Sequence, residues 1–409
     1  MALPLKIPQL QVSIDGAPSG ELLKHSIFEY RYASTDPAQP SLALLMPAKA
    51  KPTWQDGDLF AVMDQNLPEG DLYLRLTMMY PKEQLKHMHL LAMVGQNGIG
   101  RLGYLLPGEN PPANPRRIDR KALLSLPFSQ EVFDELVSAY LSTGAGIAGV
   151  QPKIMLPDRA TVPIPSLIVK AASPTYPGLA ANEFLCLSAA QRAGIKTAGV
   201  DLSDDGQLLV VDRFDLADGK DGAVERLGFE DIASLLNRRV RNLQSERKYH
   251  GSYQLIAELL TYLQLPAENL HRFFEQVALS VMVRNGDAHL KNFAVIYAKD
   301  ESPTLSPLFD VVTTSIYTYT RYVGDIEHTD RTMALKLFSG KHQTKAYPTT
   351  QELMRFGTEV CGVVRPGPVV ERIAQAMLET LEGARGDARI PRELLAHMEP
   401  VWQQGMAYA

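Results

Sequence analysis

Asn285-Gly286-Asp287-Ala288-His289-Leu290-Lys291-Asn292 follows an apolar helical run and is followed, at Asp310, by a second acid in apolar surroundings. No other segment of the 409-residue chain carries so strong a signal. An Asp, an Asn five positions later and another Asp downstream have the spacing of a phosphotransferase catalytic loop. Phosphoryl transfer asks a protein mainly to position groups and to spread negative charge. A hard cation therefore takes oxygen ligands, and the attacking hydroxyl takes one carboxylate as its base. On this reading Asp287 is the base, and Asn292 and Asp310 are the metal ligands. The octamer alone fits an ordinary Asn-Gly-Asp turn equally well, with Asp310 as a helix cap, because Gly, Asn and Asp dominate turns for steric reasons.

Upstream lie segments that would handle a nucleotide. Gly144-Ala145-Gly146-Ile147-Ala148-Gly149-Val150-Gln151-Pro152-Lys153 offers three glycines and then a lysine, so backbone amides could face phosphate oxygens without obstruction. It lacks the Walker Gly-Lys-Ser/Thr. It satisfies Gly-x-Gly-x-x-Gly, but after a helix pattern and not after the strand that a dinucleotide fingerprint needs, so a flexible turn fits as well. Ser166-Leu167-Ile168-Val169-Lys170 reads as a strand ending in a lysine, as in the kinase strand whose lysine reaches the α and β phosphates, or as a strand-end lysine in solvent. Asn182-Glu183 opens a helix that stops at Gly194; Glu183 would pair with Lys170, complement the helix dipole, or do both. Leu208 to Asp212 reads as a buried strand running into a polar hinge, Asp212-Arg213-Phe214-Asp215, where backbone groups would meet an adenine. Spacing does not separate that role from a plain strand end.

Composition bounds the rest. The chain is 45% hydrophobic and 21% charged, with a formal net charge of -5, which suits a globular protein of two or three packed units and gives no general support to nucleic-acid or anionic-membrane binding. Cys186 and Cys361, far apart in sequence, read as core thiols of a reducing compartment. No segment reaches about 18 uninterrupted apolar residues and the first residues lack a signal-peptide pattern, so a cytoplasmic, unanchored protein is expected. Short apolar runs between Gly, Pro and Asp turns up to about Pro107 (Leu10 to Ile14, Leu59 to Met63, Leu72 to Leu76, Leu102 to Leu106) predict a small strand-rich domain. Gly108 to Arg117 reads as a linker. Helical periodicity follows over Phe128 to Leu141, Phe229 to Leu243, Tyr253 to Leu263, Leu270 to Val283 and Val369 to Leu381. The basic run Arg238-Arg239-Val240-Arg241 with Arg247-Lys248 reads as a solvated helix face or, less well supported, as a contact to DNA phosphates.

The running order of these signals is that of a protein kinase: Gly-rich turn, strand lysine, helix glutamate, hinge, Asp and Asn, then Asp. Ala148 to Lys153, Asp212 to Asp215, Asn285 to Asn292 and Ser306-Pro307-Leu308-Phe309-Asp310 also resemble the signature blocks of the HipA family of serine/threonine kinase toxins. Ser41-Leu42-Ala43-Leu44-Leu45-Met46-Pro47 and Asn66-Leu67-Pro68-Glu69-Gly70 resemble that family's N-terminal domain. The resemblance implies an α+β, protein-kinase-like two-lobed fold with a small strand-rich N-terminal domain (8–110) and a kinase-like domain (120–409). The latter would have its N-lobe at about 120–225 and a mostly helical C-lobe at about 226–409.

It also implies roles. Asp287 would be the catalytic base, Asn292 and Asp310 the Mg2+ ligands and Lys170 the phosphate-binding lysine. Ala148, Gly149, Val150, Gln151, Pro152 and Lys153 would lie along the ATP phosphates. Asp212, Arg213 and Phe214 would form the adenine hinge, and His289, Leu290, Lys291, Asn292, Phe309 and Asp310 would complete the nucleotide site. The implied partner is a small helix-turn-helix antitoxin, HipB-like, through which alone the protein meets DNA. The implied substrate is a translation component such as an aminoacyl-tRNA synthetase. Where self-inactivating members carry a serine, this chain has Gly146, with Ser142 and Thr143 the nearest hydroxyls. A kinase of another protein, a small molecule or a lipid, or a non-catalytic nucleotide-binding regulatory module, remains open on sequence.

Overall fold

The computed structural model describes residues 4–34, 36, 38–80, 84–95, 98–109, 119–141, 153–156, 165–171, 175–219, 223–240, 242–299, 301–319 and 328–409. The chain forms two compact units. One comprises Met1–Ala171, Val211–Arg247 and Val295–Glu301, the other Ala172–Val210, Lys248–Ala294 and Ser302–Ala409.

In chain order, the first unit begins with β1 (Gln9–Ile14), β2 (Ala17–Lys24), β3 (Phe28–Tyr32), β4 (Thr53–Asp56), α1 (Ala61–Asp64), α2 (Gly70–Met79), α3 (His87–Val94) and β5 (Leu102–Leu105). It continues with α4 (Arg120–Leu124), α5 (Gln130–Leu141), β6 (Lys153–Leu156) and β7 (Leu167–Ala171). The second unit takes α6 (Leu179–Arg192), β8 (Val200–Leu202) and the start of β9 (Leu208–Asp212). The first resumes with β10 (Leu216–Asp218), β11 (Val224–Arg226), β12 (Gly228–Asp231) and α7 (Ile232–Leu235). The second then holds α8 (Tyr253–Tyr262) and α9 (Ala267–Met282), and the first all but one residue of β13 (Ala294–Tyr297). To the second belong β14 (Thr304–Leu305), β15 (Thr318–Tyr319), β16 (His328–Thr329), α10 (Thr350–Arg355), α11 (Gly367–Ala384) and α12 (Arg392–Met406).

The first unit is built on an antiparallel sheet in the order β4-β3-β2-β1-β5. Asp15 and Gly16, at φ 48° and 75°, make the two-residue turn between β1 and β2. Two positive φ values give a turn whose twist matches that of the strands it joins. Leu10, Val12 and Ile14 point into the core while Gln11 is exposed, the period-two pattern of a half-buried strand. Two expected strands are instead helical: Leu59 to Met63 runs into α1, and Leu72 to Leu76 lies in α2. In a strand Leu74 and Leu76 would share a face. On a helix they lie on opposite sides, and Leu74 is 55% exposed whereas Leu76 is 1% exposed.

Polar residues tie the N-terminal part of this unit to later segments. The Arg213 guanidinium meets the Asp215 carboxylate twice, at 3.0 and 2.6 Å, with both side chains buried. It also donates to the carbonyls of Pro165 and Gly98, while Gly100 N–H donates to Asp215. Arg226 reaches the carbonyls of Gly98, Gly100 and Leu102, and its pKa falls to about 10 because it is buried beside Arg213. The expected helix Phe229 to Leu243 is replaced by β12, the single turn α7 and a separate 3-10 segment, Asn242–Tyr249. Asp231 caps α7 through Ser234 N–H, and Asn237 at φ 53° lies just beyond it. Arg239 of the basic run turns inward, donating to Leu59 O and to Asp56 at 2.5 Å.

The second unit is mainly helical. Its core is α9, where Phe273, Phe274, Val277, Ala278 and Val281 are buried, together with Trp402 of α12. The helix ends follow local chemistry: Ser252 caps α8 through Leu255 N–H, and Thr349 with Glu352 forms a capping box at α10. Gly194, at φ 72°, ends α6 as the sequence predicts, with Ile195 N–H on Ala190 O and Gly194 N–H on Gln191 O. The helix opens at Leu179, however, so Glu183 stands in its second turn, where a first-turn dipole role does not apply. Cys186 and Cys361 are free and buried, with burial pushing both thiols up to about 12.

Glu230 of β12 is fully enclosed, accepting from Leu44 N–H at 2.7 Å and Tyr297 O–H at 2.6 Å. Burial pushes its carboxyl up to about 7, against the opposing pull of those donors and of Arg101. Between an unfolded value of about 4.3 and that folded value, the native state binds more protons than the unfolded one, so stability falls as pH rises through this window. Urea unfolding at a series of pH values will show Glu230→Gln lacking about 4 kcal/mol of that decline. Parallel pH profiles for the two proteins would contradict it.

Candidate active site

The octamer is launched from the end of α9. Asn285 N–H returns to Ser280 O at 2.8 Å and Arg284 N–H to Val281 O at 3.2 Å, the paired bonds of a Schellman end. The left-handed position, usually glycine, is here Arg284 at φ 57°. Its guanidinium stacks 4.3 Å from the Tyr347 ring centre and 5.6 Å from that of Tyr408, which offsets the backbone strain. At Gly286 the next step is tight. A Cβ there would come within 2.7 Å of Thr332 O and 2.9 Å of Thr314 Oγ1, and Gly286 N–H already donates to that hydroxyl at 2.7 Å.

Asp287 is held by its backbone on both sides. Its N–H donates to Asn285 Oδ1 at 3.1 Å, and its carbonyl accepts from Asn292 Nδ2 at 3.1 Å. The same Nδ2 donates to Asp310 O at 3.3 Å, so one side-chain amide joins the backbones of the two acids. The Asp287 carboxylate is half-exposed; Tyr249 donates to its Oδ1 at 2.6 Å, and His289 Nε2 lies 3.9 Å away. Asp310 adopts φ 53°, a sparsely populated conformation that costs about 1 kcal/mol and is often found at functional sites.

A buried knot fixes the chain beyond Asp310. Thr313 N–H donates to Asn182 Oδ1 at 2.8 Å, Asn182 Nδ2 donates to Thr313 O at 3.1 Å, and Trp402 Nε1 donates to Thr313 Oγ1 at 2.8 Å. Asn182 is completely buried and makes an amide-to-backbone clamp that belongs to a side chain read from sequence only as part of a helix start. The sequence reading also missed Tyr249. An Asn amid the alanines and leucines of a buried helix is a signal for the first; nothing in the residue types marks the second.

Among the residues singled out from sequence, Asp287, His289, Leu290, Lys291, Asn292, Phe309 and Asp310 share the second unit. Lys170, Lys153, Asp212, Arg213 and Phe214 lie in the first, where Lys153 stands opposite Lys170 in the β6–β7 register. Lys170 is 4% exposed, so the solvent alternative does not hold for it. Arg213 is engaged with Asp215, Asp212 with Arg120, and Phe214 packs 6.1 Å from Phe229. Ala148, Gly149, Val150, Gln151 and Pro152, with Ser142, Thr143 and Gly146, lie outside the described residues, as does most of the expected linker. Among the described residues no three His, Cys, Asp or Glu side chains cluster to hold a metal. The Asn292 and Asp310 pair still suits Mg2+ in the chemistry of its donors: both amide hydrogens of Asn292 go to carbonyls, one of them that of Asp310, which leaves Oδ1 as a hard oxygen donor, and Asp310 has a carboxylate to offer.

Comparison with known proteins assigns both parts of the chain. The family profile described as the HipA-like C-terminal domain matches residues 145–385, and that of the HipA N-terminal domain matches residues 10–105. Two proteins of Sinorhizobium fredii (strain NBRC 101917 / NGR234), both provisionally named kinases, are similar. Y4dM is 30% identical over 37% of this chain and 38% of its own length, and Y4mE is 28% identical over 56% and 58%. The chain thus spans well under two thirds of either relative. The solved complex of Shewanella oneidensis MR-1 HipA, HipB and operator DNA contains a chain of the same fold, with TM-score 0.68 and 18% identity over 98% of this chain and 96% of that one. The expected α+β, protein-kinase-like fold is therefore the one observed.

Replacing Asn182 with Ala leaves Thr313 N–H and C=O buried without their partner, a loss of about 2 kcal/mol. Chemical denaturation will register this as a lower midpoint with unchanged slope; an unaltered midpoint would mean the clamp is idle.

Proposed function

This chain belongs to the HipA family, carrying both its N-terminal and its C-terminal domain, and on that premise we propose that it is an ATP- and Mg2+-dependent serine/threonine protein kinase, the toxin of a toxin–antitoxin pair. The observation that carries this reading is the Asn292 amide, which donates to the backbone carbonyls of both Asp287 and Asp310 and so ties a half-exposed carboxylate to an oxygen-ligand pair. In this reading the boundaries are 8–110 for the N-terminal domain and 120–409 for the kinase domain, with lobes at about 120–225 and 226–409.

Asp287 takes the proton of the acceptor hydroxyl as that oxygen bonds to the γ phosphorus of ATP, the β–γ phosphoanhydride bond breaks and ADP leaves. Bound Mg2+ would be held by Asn292 Oδ1 and the Asp310 carboxylate and would offset phosphate charge. Lys170 takes the α and β phosphates, and Ala148, Gly149, Val150, Gln151, Pro152 and Lys153 line the phosphate chain. Asp212, Arg213 and Phe214 flank the adenine, while His289, Leu290, Lys291 and Phe309 complete the nucleotide site. Preorganisation supports the roles of Asp287 and Asp310: the bonds from Asn285 and Asn292 fix their backbones before any substrate arrives.

The acceptor is a hydroxyl on a translation component such as an aminoacyl-tRNA synthetase. The partner is a small HipB-like helix-turn-helix antitoxin that supplies the contact with DNA, in keeping with the composition of the Shewanella oneidensis complex. The internal use of Arg239 favours that division of labour over direct DNA binding by this chain. Among the described residues no helix is long and apolar enough to cross a membrane, in keeping with a cytoplasmic setting.

Labelled ATP with Mg2+ in a bacterial lysate is expected to mark one main protein with the wild-type chain. Asp287→Asn is expected to cut that transfer at least about 100-fold while still binding MgATP. Mass spectrometry of the band names the substrate. A small-molecule product would keep the kinase and discard the toxin assignment, and equal, negligible transfer by both proteins would leave a nucleotide-binding regulatory module.

A further inference from the structure

We propose that Tyr249 is a positioning residue for the Asp287 carboxylate, an inference that rests on the kinase reading. The Asp287 side chain is 48% exposed, so packing does not set its rotamer. Its backbone is fixed at both ends by Asn285 and Asn292, and among the described residues it is the phenol, donating to Oδ1 at 2.6 Å while His289 Nε2 stands off at 3.9 Å, that is placed to fix the carboxylate plane. With Oδ1 so engaged, Oδ2 is the oxygen left for an acceptor hydroxyl. A phenol is well matched to this role, because it is a strong neutral donor that steadies the carboxylate without pairing a full positive charge to the base.

Tyr249 is itself held. It ends the 3-10 segment Asn242–Tyr249, and its ring meets His289 edge-on with centres 5.2 Å apart at 76°. The ammonium groups of Lys248 and Lys345 lie 5.3 and 5.6 Å from the ring centre. Lys248 is buried, and Lys345 has its pKa lowered, chiefly by burial, so these cations act in a partly desolvated setting where attraction to an aromatic face is strongest. A gate would have to give up all three contacts each time it opened. The same contacts favour a fixed rest for the carboxylate, because orientation is worth most when the orienting group does not move.

Tyr249→Phe removes the hydroxyl and keeps the ring. Steady-state transfer from MgATP to the acceptor protein that the wild-type chain labels in bacterial lysate, measured with the full chain at fixed lysate concentration, is expected to show kcat reduced about tenfold with the KM for ATP within about twofold of wild type. MgATP binding and the melting transition report folding separately. An unchanged kcat would mean the contact is idle, and a faster one that the phenol occludes the base; either result overturns the proposal. If neither wild type nor Tyr249→Phe shows Asp287-dependent transfer although both bind MgATP, the kinase reading fails and this inference falls with it. Wild-type transfer with an unaltered variant rejects the positioning role alone.

Discussion

One side-chain amide holds the second unit's candidate site together. Asn292 Nδ2 donates to the carbonyl of Asp287 and to that of Asp310, two backbone groups from separate segments, and so sets where both acids stand. Each segment bears strain for this: Arg284 enters the octamer at φ 57°, and Asp310 adopts φ 53°. Such conformations persist only where neighbours over-determine them. Here the neighbours are the Schellman bonds at the end of α9, the aromatic rings under Arg284, and the knot of Asn182, Thr313 and Trp402 beyond Asp310. Remove the amide and the two acids lose their common reference, although each would keep its own local supports.

The first unit relies on a different device. Its N-terminal sheet and the chain around residues 213 to 230 are joined through buried charge: Arg213 with Asp215, Arg226 on three carbonyls, and Glu230 beneath Tyr297 O–H. Burying ions is costly, and such a pair contributes only when nearly every hydrogen-bonding position is filled. Arg213 and Asp215 meet that condition, with Pro165, Gly98 and Gly100 taking up the remaining capacity. The consequence is a fixed register, since an apolar interface can slide whereas this one cannot without stranding a charge. The hinge segment therefore has a structural duty that exists whether or not its backbone also meets a nucleotide.

Legibility in the sequence followed how local the cause was. Gly194 was readable as a helix stop because a Schellman end needs only one permissive residue, and α8, α9 and α11 were readable because their apolar period extends over several turns. Leu72 to Leu76 was misread because five residues of alternation fit either a strand or one side of a helix, and only the burial of Leu76 against the exposure of Leu74 separates them. Phe229 to Leu243 was misread for a related reason: Glu230 is drawn into a buried hydrogen-bond pair with Leu44 and Tyr297, partners far away in sequence. Arg239, read as part of a basic face, turned out to be committed to Asp56 and Leu59.

The octamer and Asp310 were legible as a candidate site because phosphoryl transfer restricts which residue types would serve and how far apart they would stand, and spacing is a property of the chain alone. Composition likewise bounded the class of protein, since burial of a core depends on how much apolar material is present. Tyr249 on Asp287, Asn182 on Thr313 and the shared amide of Asn292 could not be read that way. Each is a hydrogen bond whose worth depends on an angle and a distance between segments remote in sequence, and on the exclusion of water around them. Those quantities come into being only when the helices of the second unit pack, so side chains ordinary in type acquire their roles from where folding puts them.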